Sequence, residues 1–241
     1  MPLEPLIKKR ATDEVYESLR AAILSRFFLP GQRLMAEDLA QELGVSLTPI
    51  RHALQQLAVE GLVEIHPRSG TYVASISAED LAETFEIRLA LELLAGKRAI
   101  TRANAKNLQR LHTLLAGLRK AVRNEEEMKH HEALNLDFHR ALFEVAGSKR
   151  LSDLYESLNA HIQIARIHAS EGPRLPALRN RLSQEQAEHE AIVKALEAGS
   201  LPQLETALRA HILRAQESLM AALSAREAQG LTDEASKKKK R

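Results

Sequence analysis

The sequence predicts a mainly α-helical protein built from two domains, and three observations support this. Apolar residues make up 44% of the 241 residues, whereas aromatic residues make up 3% and Trp is absent. A core made of Leu and Ala favours helices over a β sandwich. Apolar residues recur at helical spacing along most of the chain, and the alternation typical of strands occurs only between residues 62 and 73.

The stretch Ala36–Arg51 (AEDLAQELGVSLTPIR) predicts a helix, a tight turn and a second helix. Gly44 follows the last apolar position of the first helix, where a residue that tolerates positive φ is favoured. Ser46 or Thr48 can cap the second helix, and Pro49 lies in its first turn, where a missing N–H costs little. A preceding helix is expected from Thr12 onward.

The second helix of this unit predicts one buried and one polar face. The apolar positions that share the buried face are Ile50, Ala53, Leu54 and Leu57. The opposite face begins with Ser46, Thr48 and Arg51. Short polar groups and an Arg at a helix N-terminus suit contacts to phosphates and base edges in a DNA major groove.

A two-stranded ribbon follows directly, with strands expected at residues 62–65 and 70–73. Such a ribbon after a recognition helix is a wing, so residues 9–76 are predicted to form a winged helix-turn-helix domain. Arg68 and Ser69 at its tip could reach the phosphate backbone or the minor groove. The alternative is an ordinary surface turn.

From Ala78 onward the pattern is helical throughout, which predicts an all-helical antiparallel bundle over residues 78–228. The expected helices are 78–102, 104–122, 125–146, 149–169, 174–198 and 201–228. Their breaks fall at Asn104, Asn124, Gly147-Ser148, Gly172-Pro173 and Gly199-Pro202. Residues 229–241, which end in KKKKR, are expected to be a disordered basic tail.

Charge and composition limit the classes of protein. The net charge is +2, but residues 1–76 carry eight Lys and Arg against nine Asp and Glu. An argument for DNA binding therefore rests on where individual charges lie. The lack of Cys excludes disulfides and thiolate metal sites. No apolar run suggests a membrane span or a secretory leader, so we expect a cytoplasmic protein without membrane contact.

Three of the ten histidines can be brought together by helix geometry. His189 lies about ten residues before the turn at Gly199, and His211 lies about eleven residues after it, so an antiparallel hairpin puts both at one height. His139 lies on another helix, with Asn135 one turn before it. Three neutral imidazoles suit Zn, Ni, Co or Mn and leave coordination positions open.

The alternative for any one histidine is a satisfied core or surface residue. His112, His130 and His131 are expected to be of that kind, while His161 and His168 share a face that either lines a cavity or is exposed. Arg88 also has two readings. It either pairs with Glu92 one turn later or extends along the surface into solvent, or it points inward and binds a ligand carboxylate through its two-pronged guanidinium group.

Over nearly its whole length the chain resembles the GntR family of bacterial transcription regulators, in the FadR-like subgroup with an FCD ligand-binding domain. The matching stretches are LPGQRL, LAQELGVSLTPIRHALQQLAVEGLVE, RSGTYV, IRLALE, NLDFHRALFEVAGS, EHEAIVKALEAG and LRAHI. The resemblance implies DNA contacts at Ser46, Thr48 and Arg51 and a wing contact near Arg68 and Ser69.

The resemblance also implies a divalent metal site in the helical domain. Its positions fall on Asn135, His139, His189 and His211, and Asn135 departs from the Asp that the family usually has. Arg88 matches an Arg that faces the effector cavity, so these five residues are the expected effector-binding set. The effectors of such regulators are commonly small carboxylates. In the DNA-reading motif, Leu47 replaces a frequent Arg.

We therefore expect a homodimeric regulator, most often a repressor, that binds a double-stranded DNA operator and responds to a small carboxylate. Two half-sites are needed because one recognition helix reads few base pairs. One alternative is a metal-dependent enzyme, although no carboxylate stands out as a general base, and we expect no enzymatic activity. The other is a non-specific DNA-binding protein, which the near-neutral first domain disfavours.

Overall fold

The computed structural model describes residues 11–25, 27–169 and 175–238. Contacts divide the chain into two compact units, Met1–Ser77 with Asn159–His168, and Ala78–Leu158 with Ala169–Arg241. The division after Ser77 lies where the sequence suggests a boundary. The segment 159–168, which the sequence assigns to the second domain, groups with the first unit. The predicted break at Gly172-Pro173 lies outside the described residues.

Besides the segment 159–168, the described part of the first unit contains three helices and a small sheet. Their bounds are α1 Ala11–Leu24, β1 Arg33–Leu34, α2 Ala36–Leu43, α3 Leu47–Val59, β2 Val63–His66 and β3 Gly70–Val73. Val15, Leu19 and Ile23 form the buried stripe of α1, as their spacing predicts. Helix α1 packs against α3, and α2 also packs against α3, so the recognition helix is held from two sides.

The turn between α2 and α3 depends on Gly44. Gly44 adopts φ 65°, the left-handed conformation that its position predicts. The Val45 N–H then donates to the Ala40 carbonyl oxygen at 3.0 Å, which satisfies an orphan carbonyl at the end of α2. Ser46 occupies the N-cap position of α3, but its side chain makes no capping hydrogen bond.

The sheet has one strand more than the sequence indicates. Its order is β1-β3-β2, and both pairs are antiparallel, with Arg33 opposite Tyr72 and Ile65 opposite Thr71. The sequence missed β1 because two residues are too few to show an alternating pattern. The ribbon of β2 and β3 is the predicted wing.

The second unit is built from helices joined by short connections. Their bounds are α4 Ala78–Ile100, α5 Ala105–Leu118, α6 Glu125–Ala146, α7 Lys149–Ala169, α8 Leu175–Glu197 and α9 Leu201–Lys238. Asn104 and Asn124 cap α5 and α6 by accepting hydrogen bonds from the N–H groups of Asn107 and Glu127, at 3.0 and 2.8 Å. Helix α4 packs against α6 and α9, and α8 packs against α5 and α9.

The core of this unit consists almost wholly of Leu, Ile, Val and Ala. Leu142, Ile192, Leu204 and Leu208 are fully buried in it, and Phe138 packs among them. A packed core therefore forms although only 3% of the residues are aromatic, because aliphatic side chains fill the space between the helices. No helix in the described part of the chain is long and apolar enough to cross a membrane.

Helices α4 and α8 end within two residues of their predicted ends, whereas two others end four or more residues away. Helix α5 ends at Leu118 instead of residue 122. Helix α9 continues to Lys238, whereas the sequence predicts an end near residue 228 and a disordered tail. Gly230 alone lowers helix propensity by only about 1 kcal/mol, and the Glu, Ala and Lys after it favour a helix. The last three residues of KKKKR lie outside the described chain.

We predict that Gly44→Ala destabilises the full-length protein by about 1 kcal/mol. At φ 65° a Cβ lies too close to the carbonyl oxygen that follows it, although the space around Gly44 is otherwise open. Gly44→Asn should be milder, since Asn tolerates this conformation. Urea unfolding of both variants measures the difference. An Ala variant as stable as the Asn variant would contradict this account of the turn.

Candidate functional site

The predicted recognition face lies on the outside of α3. Ser46, Thr48 and Arg51 are exposed, while the opposite face is buried. Leu47 occupies a position that is frequently Arg in the DNA-reading motif. It is half-buried and brings no charge to this face. The packing therefore presents two hydroxyls and one guanidinium beside the N-terminus of a helix, where N–H groups and the helix dipole attract phosphate.

The tip of the wing is a tight turn centred on Pro67 and Arg68. The Ser69 N–H donates to the His66 carbonyl oxygen at 3.1 Å, which closes the turn. Arg68 has φ 66° and is the one non-glycine residue with positive φ in the described chain. A proline followed by positive φ is typical of a type II turn, whose third residue is usually Gly. The tip thus holds an exposed Arg in a conformation that most side chains avoid.

The helical unit brings together the three histidines that the sequence selected. His139 on α6 and His189 on α8 are fully buried, and His211 on α9 is 2% exposed. One nitrogen from each ring lies within 4.8 Å of those of the others, and among the described residues these three form the group able to hold a metal ion. The predicted hairpin between α8 and α9 explains why His189 and His211 meet.

Two glutamates fix the orientation of two of these rings. Glu92 lies 2.9 Å from His139 Nδ1, and Glu188 lies 2.9 Å from His211 Nδ1. A carboxylate accepts hydrogen bonds, so it favours the tautomer with the proton on Nδ1. Both Nε2 atoms then carry lone pairs, yet they lie 3.1 Å apart. A cation beside both nitrogens would satisfy these lone pairs, and the Arg88 guanidinium already lies 3.0 Å from the one on His139.

Three further polar atoms, on His189 and on Asn135 one turn before His139, have no hydrogen-bond partner. Both ring nitrogens of His189 and Oδ1 of Asn135 are buried without one. Buried polar groups are normally satisfied, and an exception indicates an ion or water at the site. An imidazole nitrogen and an amide oxygen are both metal ligands, so the four residues fit a divalent cation.

Arg88 faces the same cluster. It is 2% exposed, and its Nε donates to Glu92 Oε1 at 2.7 Å. Its Nη2 lies 3.0 Å from His139 Nε2. Both sequence interpretations of Arg88 therefore describe part of its environment, because it pairs with Glu92 and also points inward.

The pKa values match a cation site. Burial lowers the pKa of His139, and it lowers the pKa of His189 and His211 well below the usual value. Burial alone would raise the pKa of Glu92, but the neighbouring His139 and Arg88 hold that pKa below its ordinary value. Neutral imidazoles beside an ionised carboxylate are the forms that bind and support a metal.

The sequence missed the residues that support the histidines. Glu188, the sequence neighbour of His189, contacts His211 on α9. His131, expected to be an ordinary core or surface residue, is 6% exposed, and its Nε2 lies 3.7 Å from Glu185 and has no hydrogen bond. Arg214 donates from Nε to Glu188 at 2.5 Å. These contacts join different helices and leave no local signal in the sequence.

Comparisons with known proteins agree with both units. The family model for bacterial regulatory proteins of the gntR family matches residues 11–73, and the FCD domain model matches residues 83–214. The solved structure of E. coli McbR/YncC has a TM-score of 0.70 at 24% identity. The match covers 88% of this chain and 98% of that one, which shows the fold.

Curated relatives are similar over most of their length. The uncharacterized HTH-type transcriptional regulator YdhC of Bacillus subtilis is 34% identical over 64% of this chain and 69% of its own. The probable D-xylose utilization operon transcriptional repressor of Paenarthrobacter nicotinovorans is 31% identical, over 73% of this chain and 74% of its own. The transcriptional repressor RspR of Escherichia coli is 27% identical, over 86% and 87%.

The two domain matches, the winged helix-turn-helix and the helical unit lead to one assignment. The relatives are transcriptional regulators and not enzymes. The chain belongs to the GntR family of bacterial regulatory proteins, as a DNA-binding transcriptional regulator that carries an FCD domain.

Proposed function

We propose that this protein is a homodimeric repressor whose affinity for its operator is controlled by a small carboxylate bound beside a divalent metal. The single observation that carries the proposal is the pair of histidine Nε2 atoms, 3.1 Å apart, whose Nδ1 atoms both face carboxylates. Such a constellation is not needed to hold a bundle together, because apolar side chains would pack there at lower desolvation cost.

The DNA contacts are assigned to two parts of the first unit. Ser46, Thr48 and Arg51 approach the major groove, while Arg68 and Ser69 at the wing tip contact the phosphate backbone or the minor groove. Their exposure and the helix N-terminus support this assignment. The near-neutral charge of residues 1–76 means that specific contacts, rather than bulk attraction, supply the affinity. Action on chromosomal DNA places the protein in the cytoplasm.

A homodimer supplies two winged helix-turn-helix domains, one for each half-site of the operator. Ile87 and Leu94 on α4 are 52% and 47% exposed and lie seven residues apart, hence on one helical face. A contiguous exposed apolar patch marks an interaction surface, and a partner subunit that covers this face would form one with it. We assign this face of α4 to the partner subunit.

The effector site is assigned to the buried cluster. His139, His189, His211 and the Asn135 side-chain oxygen hold the divalent cation, for which Zn, Ni, Co and Mn are candidates. A cation held there would act as a Lewis acid toward a carboxylate oxygen. The Arg88 guanidinium lies 3.0 Å from His139 Nε2 and would hydrogen-bond the same carboxylate.

Control of DNA binding then follows from linkage. An effector that binds one conformation of the protein more tightly shifts the population toward that conformation. DNA binds the other conformation more tightly, so the effector and DNA weaken each other's binding. The relatives named as repressors support repression as the sign of the response. The name of one of them refers to D-xylose utilization, which fits a carbon-source signal.

We predict that Arg51→Ala lowers affinity for the operator by about 5- to 150-fold and relaxes specificity at one base position. The operator is first selected from random DNA with the unmodified protein, and fluorescence anisotropy then gives the affinities at fixed salt. Arg209→Ala, an exposed change on α9, is the control. Unchanged affinity and specificity of the Arg51 variant would show that α3 is not the recognition helix.

Arg68→Gly should have opposite effects on stability and on DNA binding. Relief of the positive φ should stabilise the fold by about 1 kcal/mol or less, while loss of a phosphate contact should reduce the slope of log affinity against log salt by about 1. Arg68→Lys keeps both the charge and the strained φ, so it should resemble the unmodified protein in both measurements. If the Gly variant binds the operator normally, the wing tip is an ordinary surface turn that makes no DNA contact.

His189→Ala combined with His211→Ala should remove the bound metal. The measurement is the metal content per chain after incubation with Zn²⁺ and gel filtration, with circular dichroism to verify the helices. The matched control is His112→Ala with His130→Ala, two exposed positions that should keep the metal. If the first variant retains the same content as the control, the cluster serves packing only.

A further inference from the structure

The three-stranded sheet of the first unit brings Arg33 to the end of the wing. Arg33 on β1 lies opposite Tyr72 on β3, and Gly70 lies two residues before Tyr72 on the same strand. Directly opposed residues, and residues two apart on one strand, share a face of a sheet. Arg33 therefore lies on the face that carries Gly70, the residue directly after the tip at Arg68 and Ser69.

Gly70 provides the space that the Arg33 side chain occupies. A Cβ placed on Gly70 would lie 2.8 Å from Arg33 Nε and 3.4 Å from its Cζ, so the guanidinium lies against the Gly70 backbone. Gly70 also has φ 130°, a conformation that side chains rarely adopt. Any other residue at this position would displace the guanidinium. Gly70 therefore positions the charge of Arg33 beside the tip of the wing.

The charge of Arg33 is not neutralised by a neighbouring carboxylate. Arg33 is exposed, and within the described ranges no acidic side chain forms an ion pair with it. Glu64 lies opposite Tyr72 and so shares this face, but its oxygens have other partners. They lie 3.0 Å from His66 Nε2 and accept a hydrogen bond from the Ser75 N–H at 3.3 Å. The guanidinium thus keeps its N–H groups for a partner outside the chain.

The chemistry around Arg33 favours a phosphate as that partner. Arg68, two residues before Gly70, is a second exposed guanidinium at this end of the wing. Guanidinium groups bind phosphate oxygens through parallel hydrogen bonds, and two of them close together fit a polymer of phosphates. The first turn of α2, which follows β1, carries Glu37 and Asp38 and would repel a phosphate. Arg33 is therefore the group of this connection that can bind one.

We infer that Arg33 contacts DNA by binding a backbone phosphate beside the wing, and that Gly70 positions it for this contact. The inference rests on the proposed placement of the wing against DNA, and it adds a contact outside both the helix-turn-helix and the tip. A phosphate contact fixes the register of the protein on the duplex and carries no sequence information. Arg33 therefore raises affinity for all sequences alike, whereas Arg51 acts on one base position.

Fluorescence anisotropy of the full-length protein on the selected operator tests the charge of Arg33. Arg33→Gln should weaken binding equally for the operator and its single-base variants, and should reduce the slope of log affinity against log salt by about 1. Its deficit should be about three- to fourfold larger at about 50 mM salt than at about 200 mM. Arg33→Lys keeps the charge, so its slope should stay unchanged. Arg209→Gln, which removes an exposed charge on α9, is the control.

A double-mutant cycle tests the role of Gly70. Gly70→Ala keeps every charge but places a Cβ against the guanidinium, so it should lower affinity more in the unmodified protein than in Arg33→Gln, where that group is already gone. Equal losses in both backgrounds would show that Gly70 acts through its own φ and would overturn the positioning role. Circular dichroism verifies the fold of each variant. If Gly70→Ala fails to fold, Arg33→Gln and Arg33→Lys still decide the phosphate contact.

The outcomes separate this inference from the proposal on which it depends. Normal affinity and salt slope for Arg33→Gln, beside a reduced slope for Arg68→Gly, overturn the inference and leave the contact of the wing tip standing. Normal binding by both variants overturns the contact of the wing tip and the inference together. A loss of affinity for some operator variants only, or with an unchanged salt slope, overturns the phosphate contact.

Discussion

The two hydrogen bonds that join a histidine to a glutamate organise the buried polar cluster of the helical unit. Glu92 and Glu188 hold the Nδ1 protons of His139 and His211, so both Nε2 lone pairs face one small space. Glu92 in turn requires Arg88, because an unpaired buried carboxylate would be too costly. The fold thus uses long-range contacts among α4, α6, α8 and α9 to assemble the polar cluster that we propose as a cation site.

In the DNA-reading unit the candidate contact residues are exposed. Their positions therefore depend on the backbone that carries them, which the turn at Gly44 and the buried face of α3 hold in place. Gly44 sets the angle between α2 and α3, and the buried face of α3 holds its N-terminus at the surface. Arg68 is kept at φ 66° in a turn where Gly would be less strained. Strain retained at an exposed tip is typical of a residue whose side chain is needed there.

Most of the fold could be predicted because its signals are local. Nearly every helix could be predicted from helical spacing, the two Asn caps and the Gly at the end of α2. The similar distances of His189 and His211 from the turn at Gly199 predicted that the two side chains meet. What failed were features without a local pattern. Strand β1 is two residues long, and the Glu188–His211 contact joins residues 23 apart on separate helices.

The measurement that tests the central claim most directly is the anomalous scattering from a crystal of the Zn²⁺-loaded protein. We expect one peak per chain among His139, His189 and His211, with the Nε2 atoms of His139 and His211 at about 2.0–2.1 Å from it. Their Nδ1 atoms should still face Glu92 and Glu188. A peak elsewhere, or a metal bound through either of those Nδ1 atoms, would contradict the account that the glutamates prepare this site.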